Sequence, residues 1–175
     1  MTTVKSASVT ALDASTPILN TRGEGAKYDV REIDDFAALT TAEVSGSIIR
    51  LVRVPTDAII KTIILENEAL GTSVTADIGV YYSSSTNDSP AANAKAGAVV
   101  DADFFASAVA VAAAVAPTNV TNESTTYNLS KRKQPLWEAV GLATDPGGFF
   151  DIAVTTGGAT VAGTPRIGLR VSFAD

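Results

Sequence analysis

The 175-residue sequence contains neither cysteine nor histidine. Without cysteine there are no disulfides and no thiolate metal sites. Without histidine the chain lacks the commonest general base and the commonest transition-metal ligand. Ser-His-Asp and Cys-His hydrolases are thereby excluded. Charge is also scarce, at 18% of residues, where a quarter is usual. Aromatics make up 6%, with one tryptophan, which is thin for a sugar-stacking surface. Basic residues are outnumbered 13 to 19, giving a net charge of -6. That balance argues against a nucleic-acid partner, which needs a basic face. No long leucine-rich run is present. The stretch from Ala106 to Val120 is alanine-rich and interrupted by Pro117, so no membrane span is expected. The opening MTTVKSASVTALDAS has no apolar core of a secretory signal.

What is present is β-type patterning. VTADIGVYY (Val74 to Tyr82) places Val74, Ala76, Ile78, Val80 and Tyr82 on one face. FFDIAVTT turns Phe150, Ile152 and Val154 inward, and RIGLRVSF opposes Ile167, Leu169, Val171 and Phe173 to polar residues. Such alternation predicts half-buried antiparallel strands. SIIRLVRV (Ser47 to Val54) and AIIKTIILE (Ala58 to Glu66) are rich in β-branched residues, and the PTD between them predicts a hairpin. Both faces of these two strands carry apolar residues. Either loops of the same chain cover the second face, or a second subunit does. On the second reading Ile49, Leu51, Ile60 and Ile64 form a subunit interface, and the protein is an oligomer.

KQPLWEAVGLATDPGGFF combines a one- to two-turn helix after Pro135 with a tight turn. Gly141 is placed to end the helix with Leu142 folding back, and DPGG supplies turn chemistry. The segment predicts a plug at one end of a sandwich, with Trp137 as its bulk. DFFASAVAVAAAVAP is ambiguous between strand and short helix. Residues 83–98 form a long polar loop. Residues 1–30 lack a sustained period, which predicts an extended N-terminal arm ahead of a body at 31–175. The arm's Val4, Val9, Leu12, Ile18 and Leu19 are too apolar for a solvated tail and are candidate partner contacts. The expected fold is mainly β: an antiparallel β-sandwich, jelly-roll-like, with one or two short helices.

Few residues suggest chemistry. Glu32, Asp34 and Asp35, and Asp101 with Asp103, are hard oxygen donors, but neither run has EF-hand spacing; solvated loop carboxylates are the simpler reading. No phosphate-binding glycine motif stands between a strand and a helix. Lys131, Arg132 and Lys133 form the dense basic cluster. They are either a solvated loop or a contact for an acidic surface of a partner protein. No cofactor is expected.

The segment PLWEAVGLATDPGGFFDIAVTTGGATVAGTPRIGLRVSF, with TADIGVYY, DFFASAVAVAAA and the opening TTVKSASVTALDA, resembles small structural proteins of tailed bacteriophages. The closest kind is the decoration, or cement, protein of icosahedral capsids. The resemblance implies a β-rich body, no catalysis, and binding to the major capsid protein on the virion surface after synthesis in the host cytoplasm. It further implies a small homo-oligomer, often a trimer, with the arm lying across capsid subunits. Another virion part, of tail or fibre, or a glycan-binding β module are the alternatives.

Overall fold

The computed structural model describes residues 3–6, 9, 10, 13, 30–83 and 95–175. Its strands are β1 (Thr3–Lys5), β2 (Val30–Ala38), β3 (Ile48–Pro55), β4 (Ile59–Asn67), β5 (Val74–Tyr82), β6 (Val99–Ala110), β7 (Val115–Asn119), β8 (Phe149–Gly158) and β9 (Arg166–Ala174); the helix α1 is Leu136–Ala139. One sheet has the order β1-β3-β8-β5-β6, the other β2-β9-β4-β7. The pairings are antiparallel except for β1 on β3. The chain is a mainly β, two-sheet sandwich, as the strand patterns predict.

The alternating segments form strands with the expected faces. Phe150, Ile152 and Val154 of β8 and Ile167, Leu169, Val171 and Phe173 of β9 all enter one core. Fully burying such side chains stabilises by about 1.5–3 kcal/mol each. The ambiguous segment is a strand, β6, and the following alanines are a turn rather than a helix. Opposite Gly79 the β5–β6 ladder is irregular: Ile78 pairs with Ala106 but Val80 with Asp101. The extra β6 residues arch over the glycine. A Cβ there would lie 2.2 Å from the Asp101 carbonyl oxygen, so only glycine fits. The arch also explains how the adjacent Phe104 and Phe105 are both fully buried.

The hairpin expected between β3 and β4 does not form. β3 pairs with β1 and β8, and β4 with β7 and β9, so Pro55 to Ala58 carries the chain from one sheet to the other. The physical reason lies in where that turn's polar groups go. The N–H groups of Leu136 and Trp137 donate to the carbonyls of Ala58 and Thr56, and Thr56 Oγ1 lies 2.6 Å from Asp145 Oδ1. The helix and the DPGG loop bind the turn, and together they close that end of the sandwich. Leu136 and Ala139 are buried there, while Trp137 packs half-buried against the core. Gly141 (φ 87°) donates to the Glu138 carbonyl, and Leu142 to that of Trp137. This pair of bonds is the helix stop expected of glycine at that position. No helix among the described residues is long and apolar enough to cross a membrane.

Candidate partner-binding surfaces

Three surfaces stand out around this core. The first is the outer face of the five-stranded sheet. The β3–β8 register pairs Arg50 with Ala153 and Arg53 with Asp151. Ala153 and Asp151 are two apart on β8 and therefore share a face. A bulge at Leu51 thus brings both arginines to the side away from the core. There Arg53 Nε and Nη2 donate to the two Asp151 carboxylate oxygens at 2.6 and 3.0 Å. Arg50 Nη1 donates to Asp151 Oδ2 at 3.0 Å and to the Tyr82 carbonyl at 2.9 Å, and its Nη2 to the Gly97 carbonyl at 2.7 Å. Asp151 is wholly buried and both arginines nearly so. Burial alone would lower the Arg53 pKa; the bonds and charges of Asp151 and then Asp13 outweigh it, and the net shift is upward.

The chain's first residues complete this network. Thr3–Lys5 align in parallel with Ile48–Arg50. Ser6 Oγ donates to the Leu51 carbonyl at 2.6 Å, and Val9 is fully buried. Asp13 accepts from Arg53 Nη1 at 2.7 Å and from Lys5 Nζ at 2.5 Å. The described start of the chain is therefore docked on the body rather than free of it. Val4 packs against the core and Val9 lies inside the fold. Leu12, Ile18 and Leu19 lie outside the described residues.

The second surface is the turn that carries Lys131, Arg132 and Lys133, on the far edge of the same sheet. Lys131 Nζ sits 5.0 Å from the Phe104 ring centroid, while Arg132, Lys133 and the neighbouring Leu129 are exposed. Under this turn Tyr127 Oη donates to the Ile60 carbonyl at 2.9 Å. Burial pushes the Tyr127 phenol up to about 12, against a downward pull from Arg132. The described start of the arm and the basic turn therefore sit at opposite edges: β1 is one edge and β6 the other.

The third surface is a groove of about 580 Å³ on the outer face of the four-stranded sheet. Its apolar floor is Phe36, Ile64 and Val115, with Gly168 between Phe36 of β2 and Glu66 of β4 in the ladder. Phe36 is 57% exposed. Charged residues rim it: Arg170 Nε lies 3.5 Å from Asp34, and Arg166 Nη1 lies 3.5 Å from Glu68.

The chain is similar to known structures. Its fold matches a chain of the capsid of Ralstonia phage GP4 over 99% of this chain and 97% of that one, at TM-score 0.64 and 21% identity. The fold is one found in a phage capsid. A chain from the capsid asymmetric unit of cyanophage Pam1 is similar over 92% of this chain and 95% of that one, at TM-score 0.45 and 18% identity. No family model matches the sequence, and no curated protein does.

The other expected site residues lie elsewhere on the fold. Ile49, Leu51 and Ile60 are buried in the chain's own core, so their side chains cannot form a subunit interface. On β3 the second face is covered by the chain's own first residues. Ile64 alone of the four reaches an outer face, in the groove. Of the hard oxygen donors noted in the sequence, Glu32, Asp34, Asp35 and Asp101 have partners within the chain. Glu32 accepts from Ser172 Oγ and Asp34 pairs with Arg170, while Asp35 accepts the Phe36 N–H. Asp101 accepts the Asp103 N–H, and burial, then Asp103, raise its pKa. Tyr81 and Tyr82 are buried and present no sugar-stacking platform. Sequence reasoning missed the Arg50–Asp151–Arg53 network. Its signal was available: two arginines and an aspartate, each inside an apolar strand, need partners.

Proposed function

We propose that this protein is a structural component of a phage virion that binds the outside of an icosahedral capsid and stabilises it by bridging capsid subunits. The observation that carries the reading is the likeness of fold over nearly the whole of both chains to a chain of the Ralstonia phage GP4 capsid. A sequence without histidine or cysteine supports a role that rests on contact rather than catalysis. A protein that binds only the assembled shell stabilises it by mass action, by about 2.7 kcal/mol per site at a hundredfold excess over Kd.

The partners on this reading are the major capsid protein and further copies of the chain, in a homotrimer; the protein is made in the host cytoplasm and ends on the virion surface. The exposed Arg132, Lys133 and Leu129 are assigned to contact with an acidic surface of the shell. Bridging is assigned to Leu12, Ile18 and Leu19, since Val4 and Val9 are engaged in the body. The test is co-sedimentation of the purified chain with shells that lack it, followed by a shell melt. Saturable binding and a raised shell melting temperature are expected. A chain that stays in the supernatant, or joins tails instead, refutes the reading.

A further inference from the structure

Four strands end the two sheets: β1 and β6 in one, β2 and β7 in the other. An edge strand offers a row of unpaired N–H and C=O groups, and folds usually blunt it. Three of these four edges carry such a feature. β1 has three residues. β6 meets β5 with three register shifts. β7 has five residues and holds Pro117. β2 differs. It runs nine residues, Val30–Ala38, without proline, glycine or lysine, and its register on β9 is unbroken from end to end.

Two hydrogen bonds fix which groups of β2 look outward. Leu39 N–H donates to the Pro165 carbonyl at 2.8 Å, which continues the ladder with β9. Alternate residues of a strand turn their backbone groups to the same side, so Ala37, Asp35, Ile33 and Arg31 also face β9. Phe36 N–H is instead held by the neighbouring Asp35 carboxylate at 2.8 Å. Val30, Glu32, Asp34 and Phe36 therefore present N–H and C=O groups to the open side, where no strand among the described residues pairs. Their side chains stand in one exposed row on the outer face. Val30, 64% exposed, and Phe36, 57% exposed, enclose the carboxylates of Glu32 and Asp34.

This edge specifies its occupant twice. The backbone row takes an extended strand by addition to the sheet. The side-chain row takes positive charge between two apolar residues. Asp34 lies 3.5 Å from Arg170 with 66% of its side chain exposed, and Glu32 accepts from the Ser172 hydroxyl but has no ion pair among the described residues. An antiparallel second copy of β2 is disfavoured. Centred on Glu32, Ile33 or Asp34, it sets carboxylate opposite carboxylate, and like charges directly opposite destabilise a sheet.

We propose that β2 accepts an extended segment of a partner protein as a fifth strand of its four-stranded sheet. The segment carries lysine or arginine beside Glu32 and Asp34 and apolar residues beside Val30 and Phe36. That the partner is a shell subunit rests on the reading above; the chemistry of recognition does not.

The test is amide hydrogen exchange by NMR on the full chain, with and without the acetylated, amidated peptide valine–threonine–lysine–threonine–lysine–threonine–valine. In the free chain the Glu32 and Asp34 amides should exchange fast and those of Ile33 and Asp35 slowly. Saturating peptide should slow Glu32 and Asp34 at least about tenfold. The same peptide with glutamate in place of lysine should bind at least about tenfold more weakly. Glu32→Lys, an exposed change, should weaken binding of the lysine peptide about tenfold without moving the melting temperature. Binding that leaves Glu32 and Asp34 exchange unchanged, equal binding of the glutamate peptide, or equal binding by the variant overturns the proposal. Slow exchange of Glu32 and Asp34 before peptide is added means that the edge is already occupied, and also overturns it. The occupant is then a second copy if the protection fades on dilution, and the chain's own residues 1–29 if it does not. A chain that binds the peptide but not shells refutes the shell reading alone. Shell binding without peptide binding refutes the edge assignment alone.

Discussion

Replacing Asp151 with alanine should leave Arg50 and Arg53 facing each other in a buried layer. Removing one member of such a group typically costs about 3–5 kcal/mol, because an uncompensated buried charge remains. A denaturant midpoint within error of the parent chain would show that the network does not hold β3 to β8. Tyr127 makes a second residue-scale test, in alkali. Its phenol is shifted up to about 12, while in an unfolded chain it ionises near 10. Between those values the folded state holds the extra proton, so stability is full below about pH 10 and falls as pH rises toward 12. The slope from this group is about 1.4 kcal/mol per pH unit. Tyr127→Phe should lose about 0.5–1.5 kcal/mol at neutral pH with the bond to Ile60, yet lose less than the parent between pH 10 and 12. Parallel pH profiles for the two proteins would contradict this. That Arg50, Arg53 and Asp151 need partners was readable from their apolar strands, but their pairing was not, since Asp151 lies about a hundred positions from both arginines.

Among elements, the start of the chain is where structure and sequence pattern differ most. Removing residues 1–13 takes away the β1 ladder, the Ser6 bond to Leu51 and the Asp13 partner of Arg53. The expected loss of about 3 kcal/mol corresponds to roughly 6–12 °C in Tm for a domain of this size. An unchanged melt would mean that these contacts contribute nothing. The plug offers an ordering: Leu136→Ala should cost about 2–5 kcal/mol and exceed Trp137→Ala, because Leu136 is fully buried and Trp137 is not. The reverse ordering would make Trp137 the anchor. β5, β8 and β9 were legible because one clean apolar face alternates with a polar one. β2 was not, because its outer face carries Phe36 and its inner face carries Arg31 and Asp35. The PTD turn was legible as a turn, but local chemistry does not say whether the next strand joins the same sheet or the opposite one.

At the scale of the whole molecule, Ile49, Leu51 and Ile60 are buried in the chain's own core, so trimerisation no longer follows from them. Self-association remains a proposal that rests on the resemblance to decoration proteins; light scattering of the purified chain checks it, where a trimer mass is expected and a monomer at micromolar concentration would refute it. The central claim concerns place in a particle. Its most direct measurement is a cryo-EM reconstruction of virions that carry this chain. Density for the two-sheet body is expected on the outer shell surface, touching neighbouring capsid subunits. Density in the tail, inside the shell or on a single isolated subunit would contradict it.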